Sequence, residues 1–470
     1  MFRYDIRHVR GDRKKDAPLV VLGAVAGLET TERMFTTAQP VSSQSLFFDQ
    51  GPALSKQSSR GDFMNRASQW FAICCAAISF QIQAAEKEPI VVGSVLDETG
   101  ALNVYGKAMA DATKLAIKSI NDAGGVLGRP LKLVTYDAQS DNAKYTSYSN
   151  QLALRDRAAV IMGGITSASR EAIRPVADRN KTLYFYNEQY EGGVCDKNVF
   201  LTGVVPSQQI PPLVDWAIKS GKKKFYVLAA DYNYGHISTD WVKQYVTKAG
   251  GTVVGAEFIP LDVSEFGSVI SKLQEAKPDV VFSLLVGGNH IAFYRQFASA
   301  GLSSRMQIAS ATFGLGNEQV VLGPKEANGI VVAFPYVQED PSDANKKFRE
   351  EWSKTYGSNY PYITDSAATV WNGWHLWALG VEKAGSTDRD KVIKALESGI
   401  SFEGPGGKVS IDPTTHHVVQ NVHIARADDK HGFAIISEEK SVAPSFERSV
   451  CDLVAKPNTA KQFTPSAKAN

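Results

Sequence analysis

Three short stretches of this 470-residue chain hold side chains suited to chemistry: Gly163-Gly164-Ile165-Thr166-Ser167, Gln189-Tyr190-Glu191-Gly192 and Tyr232-Asn233-Tyr234-Gly235. They offer phenols, hydroxyls and bare backbone, which can donate to and accept from a small polar molecule. They do not pair a nucleophile with a base, and they build no complete phosphate cradle. Gly404-Pro405-Gly406-Gly407-Lys408 fails as a phosphate loop, because Val409 stands where Ser or Thr is needed and an extended segment follows. His416, His417 and His423 match no metal-ligand spacing and read as surface or hydrogen-bonded histidines. The chain has no G-x-S-x-G elbow and no H-E-x-x-H. This chemistry suits capture of a small solute, with no metal, no cofactor and no reaction.

Each stretch follows a short apolar run that reads as a buried strand. Ile90-Val91-Val92-Gly93, Leu131 to Tyr136, Ala159 to Met162 and Thr182 to Tyr186 alternate with helical patterns. One such helix carries Ala108, Ala112, Leu115, Ala116 and Ile120 on one face and ends at Gly124-Gly125. The rhythm restarts with strands at 225–229, 252–258, 280–285, 307–310 and 329–334. The βαβ repetition predicts an α/β fold with two parallel sheets flanked by helices, hence two lobes with a cleft between them. Loops at the carboxyl ends of parallel strands are where such sheets bind ligands, and domain interfaces are preferred small-molecule sites.

Further on, helices are expected at about 344–356 and 364–384. The stripe Trp371, Trp374, Trp377 on the second reads as packing. Val418 to Ala427 is a strand able to cross between lobes, and the tail after about Pro457 reads as frayed. The residues divide as 86–207 with 336–425 in one lobe, 208–335 with 426–460 in the other, and 461–470 as a flexible tail.

Thr166 and Ser167 lie between strand and helix, where one hydroxyl can cap the helix while the other faces a ligand. Tyr232 and Tyr234 fall on one face if their segment stays extended.

Charged residues make up 21% of the chain, hydrophobic residues 43%, and the formal net charge is +2. That balance gives no bulk electrostatic case for nucleic acid. Met64-Asn65-Arg66 followed by the apolar run 70–80 and by Ala84-Ala85 reads as a secretory signal over 64–85. Residues 1–63 are then a disordered leader or upstream read-through. Removal of the signal takes Cys74 and Cys75 with it and leaves Cys195 and Cys451. In an exported chain an even pair favours a disulfide; the alternative is two free buried thiols.

Six segments in order carry a family resemblance: 164–170, 189–192, 205–209, 231–234, 281–288 and Val409-Ser410-Ile411-Asp412-Pro413-Thr414-Thr415-His416-His417. Together they resemble the urea and short-chain amide branch of the type I periplasmic solute-binding proteins, the family that includes the leucine/isoleucine/valine-binding proteins. The resemblance covers about Pro89 to Phe463. It implies two lobes that close on a ligand by hinge motion, a periplasmic location and delivery to an inner-membrane ABC permease. Carried over, the first-lobe ligand contacts fall on Ser167 and the Glu188–Tyr190 segment. Those of the second lobe fall on Tyr232, Tyr234, the Gly287-Gly288 loop and Thr312. Amino-acid binders have a carboxylate at the position resembling Thr312, so a threonine there implies a neutral ligand. Glu188 departs from the amide branch, which has an uncharged residue. Pointing into the cleft, Glu188 admits a cationic or amine-bearing ligand; pointing to solvent, it carries no such meaning. The alternatives are a binder of branched-chain amino acids or small amines, and an amide-sensing regulator built on the same scaffold.

Overall fold

The computed structural model of the protein describes residues 87–465, which belong to one compact unit. The expected leader and the 64–85 signal lie outside the described residues. Among these, no helix is long and apolar enough to cross a membrane.

The first lobe opens with β1 (Ile90–Leu96), α1 (Asn103–Asp122), β2 (Leu131–Asp137), α2 (Asn142–Asn150), β3 (Val160–Gly163), α3 (Ser167–Arg179) and β4 (Leu183–Tyr186). Short strands β5 (Val194–Asp196) and β6 (Val199–Leu201) follow. Strands β2-β1-β3-β4-β6 form one parallel sheet in that order. β3 and β4 are buried throughout, as near-continuous apolar runs in parallel sheets are.

The chain then enters the second lobe through α4 (Pro206–Lys219). There it builds β7 (Lys224–Ala230), α5 (Asn233–Lys248), β8 (Thr252–Ile259), α6 (Gly267–Ala276), β9 (Val280–Leu284), α7 (Asn289–Ser299), β10 (Gln307–Ser310), short helices α8 (Glu318–Val321) and α9 (Pro324–Ala327), and β11 (Val331–Phe334). Its sheet runs β11-β10-β9-β7-β8, all parallel. Helices α10 (Asp343–Tyr356) and α11 (Asp365–Ala384) return to pack on α1. Trp374 and Trp377 are buried, and Trp374 Nε1 donates to Thr113 of α1 at 3.3 Å.

After α12 (Arg389–Leu396) come the hairpin β12 (Ser401–Gly404) and β13 (Gly407–Ile411), then β14 (Val418–Ala427) and β15 (Phe433–Val442). His417 bridges Leu201 in the first lobe, whereas His423 to Arg426 pair antiparallel with β11. The crossing therefore lies between these residues, ahead of the expected boundary at 425.

At the end of the chain the expected disulfide is present, and the tail expected to fray is paired instead. Beyond α13 (Ser445–Val450), Cys451 is disulfide-bonded to Cys195 of the first lobe, with Cα atoms 5.6 Å apart. β16 (Ala460–Gln462) pairs with β5 instead of fraying. The reason is local: β5 offers a free edge, and the Gln462 amide bonds the buried Glu191 carboxylate at 2.6 Å.

Candidate functional site

Six chain segments meet between the lobes around a small inner cavity. From the first lobe come Tyr105 on α1, Ile165 and Thr166 ahead of α3, and Glu188 and Gln189 after β4; from the second come Tyr232 and Tyr234, Val286, Thr312 and Leu315. The cavity measures ≈ 30 Å³, on the order of two water-sized spheres. Outside it lies a chamber of ≈ 500 Å³ that shares Thr166 and Tyr232 and adds Gly287 and Gly288.

Thr166 caps α3. Its hydroxyl accepts from Ser169 N at 3.1 Å, and Ser169 Oγ accepts from Thr166 N at 2.9 Å. Tyr232 and Tyr234 reach one cavity by a route other than the extended one expected. α5 begins at Asn233, Tyr232 is its cap residue, and the two rings lie 6.0 Å apart, tilted by 33°. Thr312 is buried after β10, its backbone N–H donating to Ser310 Oγ at 3.1 Å.

Glu188 faces inward, with only 5% of its surface exposed. The loop that carries it is anchored by Asn187, whose amide donates to Thr202 at 2.8 Å; Thr202 in turn donates to the Thr369 carbonyl at 2.9 Å. Glu188 Oε1 accepts from Gln189 N at 3.0 Å, and Oε2 has no hydrogen-bond partner among the described residues. Burial pushes the carboxyl up to about 7, against the weaker opposing pull of the Ser366 hydroxyl and the Gln189 N–H. Ser366 lies close enough to exert that pull but makes no well-formed hydrogen bond. The buried Asp365 is raised well above the carboxylate range by burial and then by the Glu188 charge.

Hydrogen bonds join the lobes at the cavity, among them Gln209 Nε2 donating to Gln189 Oε1 at 3.2 Å. Gly287 N donates to Tyr105 Oη at 2.8 Å, and Gln189 Nε2 donates to Tyr234 Oη at 3.1 Å. Gly287 has φ +89, a conformation that glycine adopts without penalty.

Two expected ligand contacts are placed elsewhere. Ser167 Oγ donates to Glu191 Oε2, whose other oxygen accepts from Arg170 at 2.8 Å. Tyr190 lies under the Arg170 guanidinium, which is 4.6 Å from its ring centroid. His417 donates through Nδ1 to the Thr415 carbonyl at 2.9 Å, so its Nε2 accepts from the Tyr190 hydroxyl, which accepts in turn from Val194 N at 3.1 Å. Burial, the largest influence, pushes His417 down to about 3, consistent with a neutral ring. Ser167 and Tyr190 thus hold the loop from below and do not line the cavity. Gly287 and Gly288 both border the outer chamber and not the inner cavity.

Tyr105, Val286 and Leu315 complete the wall without having been expected from sequence. Tyr105 follows β1, at the carboxyl end where ligand loops gather, and that position was the available signal. His416 bonds Glu397 at 3.0 Å and His423 bonds Asp340 at 3.0 Å, each in its own place. No group of three metal-ligating side chains occurs among the described residues.

The sequence pattern of the periplasmic binding proteins matches residues 89–432. A Leu/Ile/Val-binding protein homolog from Brucella melitensis is 25% identical over 366 residues, covering 75% of this chain and 92% of its own length. A leucine-, isoleucine-, valine-, threonine- and alanine-binding protein from Pseudomonas aeruginosa is 26% identical over 357 residues, covering 74% and 92%. Among solved structures, an ABC-transporter solute-binding protein from Rhodopseudomonas palustris, in complex with 3,4-dihydroxybenzoic acid, superposes with a TM-score of 0.69. It is 25% identical and covers 76% of this chain and 99% of its own. The chain belongs to the periplasmic binding protein family, with two lobes and a likeness to Leu/Ile/Val-binding proteins and to solute-binding proteins of ABC transporters.

Proposed function

We propose that the protein captures a solute with the size and N–H geometry of urea or a short-chain amide and presents it to an inner-membrane ABC permease. The observation that carries this reading is the inner cavity of ≈ 30 Å³ ringed by Tyr105, Tyr232, Tyr234, Thr312 and Gln189. Those hydroxyls and the amide both donate and accept, so a molecule with one carbonyl and adjacent N–H groups finds partners on each side. Each polar group left unpaired there costs roughly 1–3 kcal/mol, which disfavours a ligand that fills the space with hydrocarbon.

Likeness to proteins named for leucine, isoleucine and valine supports a second reading, an amino acid. The cavity volume and the uncharged Thr312 weigh against it. Calorimetric titration of the full chain with urea, formamide, acetamide and leucine decides between them. We expect urea or an amide to bind most tightly. Leucine binding more tightly than all three others would overturn the proposal.

A further inference from the structure

We propose that, within this size class, the site takes the cationic isosteres, guanidinium and short amidinium ions, with Glu188 as their counter-ion. The inference rests on the size-class reading above and adds the ligand's charge. Its basis is the direction and isolation of one carboxylate. Glu188 lines the inner cavity, is 5% exposed, and has one oxygen with no partner among the described residues.

The groups that face Glu188 electrostatically are Asp365, Tyr186, Tyr232, Tyr234 and Tyr105, with the Ser366 hydroxyl beside it. None of these is basic. Asp365 instead adds a second buried carboxyl, whose oxygen takes the Tyr336 N–H at 2.9 Å. The nearby Arg170 is committed to Glu191 at 2.8 Å and to Glu171 at 3.1 Å. An ionised carboxylate buried without a partner is strongly disfavoured. A bound cation removes that penalty, whereas neutral urea or acetamide leaves most of it in place.

Shape agrees with charge. A planar amidinium or guanidinium ion presents parallel N–H donors to a carboxylate. Tyr232 and Tyr234, with ring centroids 6.0 Å apart, supply the aromatic wall on which such a cation is attracted. The Thr312 hydroxyl lines the same cavity and can accept from an outward N–H group.

The test compares isosteric pairs on the full chain: guanidinium against urea, and acetamidinium against acetamide. Titrations are run by calorimetry at about pH 8, above the ordinary carboxylate range. We expect each cation to bind at least tenfold tighter than its neutral isostere, and Glu188→Gln to abolish or invert that order. Urea and acetamide binding as tightly as their cations would overturn the inference and leave the size-class reading standing. Failure of all four to bind, with leucine binding, would overturn both. The parent's ranking decides the matter even if Glu188→Gln folds poorly, and its thermal unfolding is recorded beside the titration.

Discussion

Tyr105 and Gly287 meet across the cleft, the glycine N–H donating to the phenol oxygen at 2.8 Å. One belongs to the helix after the first strand and the other to the loop after β9, so this bond exists only while the lobes are together. Tyr105→Phe keeps the ring and removes the acceptor, leaving a buried N–H without a partner in the closed form. An open form hydrates the same group. The expected result is ligand affinity lower by roughly tenfold, from a 1–3 kcal/mol penalty, with the unliganded thermal midpoint unchanged. Calorimetry beside thermal unfolding checks both halves. Unaltered affinity would show that the bond contributes nothing to closure.

Glu188 also predicts a pH dependence of stability. Its folded value is about 7 against an ordinary 4.5. Between those limits the folded protein holds a proton that the unfolded chain releases, so stability falls as pH rises through this window. This contribution is fully present below about 4.5 and is lost once pH exceeds about 7. Its full size is roughly 3 kcal/mol at 1.36 kcal/mol per pKa unit. Glu318 is raised to about 7 by burial as well, so the parent alone does not isolate Glu188; the difference between parent and Glu188→Gln does. Denaturant unfolding without ligand should find the variant more stable near pH 8 and level with the parent near pH 4.5. A constant difference across that range would refute the assignment.

The parallel strands and the two-lobe arrangement were readable because buried parallel strands are continuous apolar runs, and Val160–Gly163 and Leu183–Tyr186 are of that kind. Helix α4 was not. Pro211 and Pro212 lie inside it and withdraw two helical N–H donors, so its pattern contradicts its structure. Strand β15 is largely exposed, and Ser437-Glu438-Glu439-Lys440 carries no apolar alternation to betray it. In the site, residues on strand-end loops were legible by type and position. Which of them turn into the cavity was not, because Ser167 and Tyr190 are claimed by Glu191 and His417, partners remote in sequence.

The Cys195–Cys451 bridge ties the chain end to the loop that carries Glu191. Around it, Glu447 accepts from Gly193 N at 3.0 Å and from Ser207 at 3.0 Å, and Gln462 reaches Glu191 at 2.6 Å. Replacing both cysteines by serine should lower stability by about 2–5 kcal/mol. Reductant should lower the parent's stability by the same amount and leave the variant alone. Equal sensitivity of parent and variant to reductant would mean that the bridge is not formed in the purified protein.

Tyr190 and Tyr232 should separate under mutation, because one supports the loop and the other faces the ligand. Tyr190→Phe removes the hydroxyl that donates to His417 Nε2 and accepts from Val194 N at 3.1 Å. Two buried groups then lose their partner, at a cost of roughly 1–3 kcal/mol in stability, while the cavity wall is untouched. Tyr232 is half-buried and lines the cavity, with no hydrogen bond from its hydroxyl to another described residue. Tyr232→Ala should therefore weaken binding by at least roughly tenfold, through loss of a ring face and a hydroxyl, with little change in unfolding. Denaturation and titration of both variants give a crossed pattern if these roles are correct. If Tyr190→Phe abolishes binding while unfolding like the parent, Tyr190 is a ligand contact and the cavity drawn here is not the whole site.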